Sequence, residues 1–176
     1  GYPVVTAVVR GGKLVLRQER FLLSGESEGE IWPIPITVKL DGESKRLLLE
    51  KEEEVIAFKG ESLKVNVDQT GFYRVYYERL YDHVWRSELS TFDRWGIVSD
   101  ALAFLMAGRM SFSEYLSIVK RFYGEQEYLP ALEVSGQLAL LSLIAPSRVA
   151  EVSREFHRSQ LKILEGKGDE NSSMLQ

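Results

Sequence analysis

The side chains best suited to metal or nucleophilic chemistry are few. The 176-residue chain has two His and no Cys. His83 lies in Asp82-His83-Val84-Trp85-Arg86 and His157 in Glu155-Phe156-His157-Arg158, and neither has a second His four residues away. A helical zinc protease needs two His at that spacing so that both imidazoles leave one helix face, with a Glu between them as base. Both His therefore read as surface or half-buried side chains on amphipathic helices. The lack of Cys removes thiolate nucleophiles, disulfides and Cys-based metal sites. A Gly-x-Gly-x-x-Gly turn and a P-loop are also missing from the sequence. Gly166-Lys167-Gly168 is a lone short loop, and Glu50-Lys51-Glu52-Glu53-Glu54 reads as a solvated strand or turn. No catalytic, cofactor-binding or metal-ligating residue is assigned on these grounds.

Two charged residues carry a packing message instead. Asp100 precedes the run Ala101-Leu102-Ala103-Phe104-Leu105-Met106-Ala107, on a helix apolar nearly all round, so its carboxylate should be buried and need a partner. Arg94 stands on a different face of that helix, which leaves the partner to another element. Arg74, between Tyr73 and Val75 in the last strand, invites the same reading of a buried ion pair.

The elements that must position these groups change character once along the chain. Up to Tyr77 the apolar period is mostly two, and the breaks are tight-turn dipeptides. Tyr2 to Val9 and Lys13 to Arg20 flank Gly11-Gly12, while Ile34 to Leu40 and Lys45 to Leu49 flank Asp41-Gly42, both hairpin signals. Val55 to Phe58 and Leu63 to Val67 surround Lys59-Gly60, with Leu63, Val65 and Val67 alternating against Lys64 and Asn66. Phe72 to Tyr77 is the last strand. Beyond Tyr77 the period becomes helical. Ser90-x-x-Asp93 opens a run to Ala107 that Gly108 stops, Ser111-x-x-Glu114 is a capping box, and Pro130 and Pro146 open two further helices. Phe112, Tyr115, Leu116, Val119, Phe122 and Tyr123 lie on one helical face. The expected fold class is α+β as two units: a small antiparallel β-sandwich over residues 1–77, followed by a truncated α-helical superhelix over 78–176.

Composition bounds the partners. The chain is 44% hydrophobic, with 22 Lys+Arg against 26 Asp+Glu and a net charge of −4. The bases are interspersed with acids, which argues against a nucleic-acid binder, and no apolar stretch approaches the roughly 20 residues of a membrane span. The lack of Cys fits a cytoplasmic location. Residue 1 is Gly, Tyr2-Pro3-Val4-Val5 begins at once as an extended run, and Gly166 to Gln176 reads as a polar loop leading into a helix start. Both ends are expected to continue into a larger polypeptide.

Two stretches carry a resemblance. Asn66-x-Asp68-Gln69-x-Gly71-Phe72-Tyr73-Arg74-Val75-x-Tyr77 resembles the signature near the end of the β-sandwich domain in aminopeptidase N-like zinc aminopeptidases, the gluzincins. Asp93-Arg94-x-Gly96-Ile97-Val98-x-Asp100-Ala101 resembles the segment that opens their helical domain. Gly1-Tyr2-Pro3-Val4-Val5, Leu14-x-Leu16-x-Gln18-x-Arg20-Phe21 and Trp32-x-Ile34-Pro35-Ile36-Thr37 are similar to the opening of the same sandwich. The phrasing is closest to archaeal members of the tricorn-interacting aminopeptidase factor type.

The resemblance implies a non-catalytic fragment of an enzyme that removes N-terminal residues from peptides. The Gly-x-Met-Glu-Asn substrate-amine motif and the His-Glu-x-x-His zinc helix of that family do not occur here. Zinc would then belong to the parent enzyme and not to this chain. The implied partners are an upstream catalytic domain of the same protein, peptide substrates in the intact enzyme, and a larger protease complex. The alternative is a stand-alone module that binds a protein or peptide.

Overall fold

The computed structural model describes residues 1–24 and 29–165, so the expectations for Gly166-Lys167-Gly168 and for the end of the chain lie outside the described residues. Among the described residues seven strands precede five α-helices, and the chain divides into two compact units, Gly1–Asp93 and Arg94–Gln176. The fold is α+β, with the sheets first and most of the helices after them.

In the first unit, β1 (Pro3–Arg10) and β2 (Lys13–Arg20) form a hairpin in which Arg10 faces Lys13 across Gly11-Gly12, both glycines at positive φ. The β3 (Ile34–Leu40) and β4 (Glu43–Leu49) hairpin closes through Asp41 at φ 48° and Gly42 at φ 88°, the pair of left-handed residues that a type I′ turn needs. Lys59-Gly60 instead marks a crossing between sheets. β5 (Glu53–Ala57) pairs with β2 in a four-stranded sheet of order β5-β2-β1-β7, whereas β6 (Leu63–Val65) joins β3 in a three-stranded sheet of order β4-β3-β6. The Glu50 to Glu54 run ends as the exposed start of β5, with Glu53 opposite Arg17. All pairs are antiparallel except one: β7 (Arg74–Tyr77) runs parallel to β1, Val5 facing Val75.

Polar side chains bridge the two sheets. Tyr77 Oη donates to Val65 O at 3.0 Å and accepts from Val65 N at 3.1 Å, tying β7 to β6. Gln18 on β2 is buried, and its Nε2 donates to the carbonyls of Trp32, Leu49 and Lys51 while its Oε1 accepts from Trp32 N. Around these bonds the inward residues Val5, Ala7, Leu14, Leu16, Ile36, Val38 and Leu63 are almost wholly buried, so the two inner faces share one core. The unit ends with the short α1 (Tyr81–Trp85), which sequence periodicity does not reveal because a single turn shows no repeat.

The second unit takes in most of α2 (Thr91–Met106), then α3 (Phe112–Lys120), α4 (Tyr128–Ile144) and α5 (Pro146–Leu164). The stop and start signals act as the sequence predicts. Gly108 is left-handed at φ 69°, Pro146 occupies the first turn of α5, and the Ser111/Glu114 capping box is reciprocal. Tyr115, Ile118 and Val119 bury one face of α3, and Phe122 is buried in the turn beyond it. No helix among the described residues is long and apolar enough to cross a membrane.

Candidate functional site

The segment that joins the last strands is built around one amide. Asn66 is wholly buried and left-handed, at φ 58° and ψ 58°, a conformation that Asn tolerates better than branched residues. Its Nδ2 donates to Gln69 Oε1, Gly71 O and Tyr73 O at 3.1, 3.0 and 3.2 Å, and its Oδ1 accepts from Gly71 N at 2.8 Å. A single side chain thereby satisfies the backbone of a loop that also holds Asp68 and Gln69 at positive φ. A Cβ at Gly71 would stand 2.1 Å from the Tyr73 ring, so this position requires a glycine.

The next residues of the same network are charged and buried. Lys64 Nζ donates to Val65 O and to Asn66 O and lies 3.2 Å from Asp93 Oδ1. Asp93 also accepts from Asp68 N at 2.8 Å and Ser90 N at 3.1 Å, and its own N–H bonds Ser90 Oγ. The Ser90/Asp93 pair thus caps α2 reciprocally and at the same time fastens the Asn66 loop. Arg74 donates from Nε to Tyr2 Oη at 2.7 Å, with its guanidinium 5.5 Å from the Tyr2 and Phe21 ring centres.

In the second unit, Arg94 grips Glu125 with two bonds, Nε to Oε2 at 2.7 Å and Nη2 to Oε1 at 3.1 Å. Asp100 is buried as expected, at 7% exposure. Gln137 is the centre of a second buried network. It accepts from Tyr115 Oη at 2.9 Å and donates to Val98 O and Glu133 Oε1, while Glu133 Oε2 accepts from Trp95 Nε1 at 3.2 Å. Burial, and then the negative charge of Glu133, push the Tyr115 phenol well above its ordinary range. Beside Glu133 and Gln137 lies an open depression of about 290 Å³, lined by Leu102, Leu129, Leu132, Gly136 and Leu140.

The donors present do not fit a zinc ion. Both His are half-buried. His157 has Nε2 3.0 Å from Ser135 Oγ and Nδ1 2.8 Å from Ser153 O, so both ring nitrogens serve helix packing. His83 lies edge-on to Phe58. Among the described residues no three His, Cys, Asp or Glu side chains converge as a metal-binding group.

What these networks belong to is decided by comparison. The ERAP1-like C-terminal domain profile matches residues 62–169, from just before the Lys64–Asn66 network to the end of α5 and beyond. The chain belongs to this family. An ERAP1-like C-terminal domain is part of the M1 aminopeptidases, and relatives align over nearly all of the present chain. Leucyl aminopeptidase of Saccharolobus solfataricus is 42% identical over 172 residues, which is 97% of this chain and 22% of that protein. Tricorn protease-interacting factor F2 of Thermoplasma acidophilum is 38% identical over 169 residues, covering 93% and 21%. Aminopeptidase M1-C of Oryza sativa subsp. japonica is 30% identical over 182 residues, covering 93% and 21%. The chain therefore spans about a fifth of the length of the curated relatives it matches. M1 aminopeptidases are zinc-dependent in general, and the residues of this ERAP1-like C-terminal domain described above supply no zinc ligand set.

The resemblance seen in the sequence rests on residues whose work is now visible. Asn66, Gly71 and Asp93 close and cap the loop, while Arg74 and Tyr77 hold β7 in place. Sequence reasoning missed Lys64, Glu125 and Gln137. Lys64 stands in an alternating strand where the polar face is ordinarily wet, and Glu125 and Gln137 carry no spacing signal of their own.

Proposed function

We propose that this chain is the non-catalytic, post-catalytic portion of a zinc-dependent aminopeptidase that removes N-terminal residues from peptides. Residues 1–77 serve as a β-sandwich spacer and residues 78–176 open the helical superhelix that closes over the peptide cavity. The observation that carries this reading is the alignment itself: 97% of the chain matches 22% of an aminopeptidase at 42% identity. What the side chains do supports it. The buried charges and amides found here fasten loops and helix ends, as in a scaffold, and both histidine rings are turned to packing. The zinc and the groups that hold the substrate amine belong to the upstream catalytic domain, and the protein works in the cytoplasm. The name of the Thermoplasma relative extends the proposal to a larger protease complex as a source of peptides.

The test is to read the frame upstream of Gly1 and to assay both proteins. A continuing frame with the Gly-x-Met-Glu-Asn and His-Glu-x-x-His motifs is expected, its product hydrolysing aminoacyl anilides while the 176-residue chain neither turns them over nor retains stoichiometric zinc. A start codon immediately before Gly1, or zinc-dependent turnover by the 176-residue chain, would overturn the proposal.

A further inference from the structure

β6 and β7 stand together at one side of the first unit, tied through Tyr77 and Val65. At the other side β4 and β5 are the outermost strands of their sheets, each paired along one flank only. The bonds that are made fix which groups are left over. Phe58 N donates to Gly12 O and Gln18 N to Glu52 O, so the even-numbered residues of β5 serve β2, and Glu53, Val55 and Ala57 turn their N–H and C=O groups away from it. On β3, Asp41 N donates to Ser62 O and Thr37 O accepts from Asn66 N, so odd-numbered residues serve β6 and even-numbered ones serve β4. Ser44, Arg46 and Leu48 are then the outward-turned set of β4. All six outward-turned residues are exposed.

A free edge of this kind is a template for another strand, and charged side chains ordinarily blunt it by repelling a like edge. The two edges here are unlike. β4 carries Lys45 and Arg46, whereas β5 carries Glu53 and Glu54, and among the described residues none of these four is in an ion pair. Alternation restricts how the edges can meet, because outward-turned residues must face outward-turned residues for the main chains to bond. Of the antiparallel registers that allow this, the one with Arg46 opposite Glu53 also sets Lys45 opposite Glu54. The next allowed register on either side sets Arg46 against Lys51 or Val55 and loses that match.

We infer that β4 of one copy of this chain pairs antiparallel with β5 of a second copy, in the register that joins Arg46 to Glu53 and Lys45 to Glu54. The 5 residues of β5 span about 17 Å, so the ladder is smaller than a standard interface, and the association is weak, rising with protein concentration and falling with salt. Opposite charges on facing strands favour pairing and like charges oppose it, so β4 accepts β5 and rejects a second β4. The pairing depends on β4 and β5 alone and not on the function proposed above.

Sedimentation velocity of the 176-residue protein over a concentration series should show a rising average mass at low salt and a smaller rise at high salt. Lys45→Glu and Glu54→Lys, each alone, should weaken self-association by roughly tenfold, because like charges then stand opposite each other. An equimolar mixture of the two variants, and the double substitution in one chain, should restore it, since each Glu again meets a Lys. Val55→Pro removes an outward N–H that β2 does not use, so it should abolish association while the ladder to β2 stays intact. Circular dichroism reports the fold of each variant. A monomer at every concentration, undiminished association in either single charge variant or in Val55→Pro, or a mixture that stays dissociated would each overturn the inference.

Discussion

Lys64 Nζ sits 3.2 Å from Asp93 Oδ1, with 1% and 3% of the two side chains exposed. A charge pair this deep stabilises only while both partners are present, because the survivor of a single substitution is left uncompensated. Lys64→Met and Asp93→Ala should each destabilise the protein by about 3–5 kcal/mol in urea unfolding. The double substitution should cost clearly less than the sum, since the two losses share one interaction. Additive losses would show that the pair is not coupled.

Asn66 separates two effects that usually come together. Asn66→Gly keeps the left-handed backbone and loses four hydrogen bonds, whereas Asn66→Ala loses both. The alanine variant should therefore be less stable than the glycine variant by about 1 kcal/mol. Both should lie several kcal/mol below the parent, at roughly 1–3 kcal/mol for each buried group left unsatisfied. Equal midpoints for the two variants would show that the backbone conformation carries no cost.

Asp41 gives the protein an acid limb. Its Oδ1 accepts from Ser62 N and Glu61 N, and these bonds, the Ser62 one first, hold the carboxyl below its ordinary value of 3.8. The stabilisation is present above that value and is lost as pH falls through the lower folded pKa. Asp41→Asn should flatten the fall of the urea midpoint across the acidic carboxylate range and leave a smaller difference from the parent at the acid end than at neutral pH. A parent and variant whose midpoints fall in parallel would contradict this.

Tyr115 should be silent in the ordinary phenol range. Its phenol is wholly buried and raised above the ordinary 10.0 by burial and then by Glu133, so the stability linked to its protonation is intact below 10.0 and is lost only as pH climbs toward the folded value. In an alkaline absorbance titration, Tyr115→Phe should leave the amplitude near the ordinary phenol pKa unchanged and remove signal only from the alkaline unfolding step. It should also cost about 1–2 kcal/mol, because Gln137 Oε1 loses its donor. A loss of amplitude in the ordinary phenol range would show that the ring is accessible.

The hairpins, caps and helix boundaries were legible because each depends on residues next to one another. Asp41-Gly42 makes its turn, Gly108 ends α2, and Ser111 and Glu114 cap each other over three residues. The polar interior was not, because it depends on what lies opposite. Lys64 and Asn66 alternate with Leu63 and Val65 as a wet face would, yet both are buried, since Asp93 reaches Lys64 from far along the chain and the carbonyls of Gly71 and Tyr73 meet Asn66 only where the loop folds back. α4 differs in the opposite sense: the segment is apolar almost throughout, yet Leu132, Leu140 and Leu143 are exposed. The sequence motifs drew attention to Asn66, Asp93 and Arg74 through family likeness, and only the structure shows that they work as loop and cap fasteners.

The parallel ladder between β1 and β7 bears on how the protein is made. Val4 to Ala7 on the first strand register with Arg74 to Tyr77 on the last, and Tyr77 then reaches β6. The four-stranded sheet cannot be completed until almost the entire first unit has left the ribosome, because loop closure over that length precedes the contacts that reward it. Until then the outer edge of β1 is bare, an edge open to strand addition by a neighbouring nascent chain.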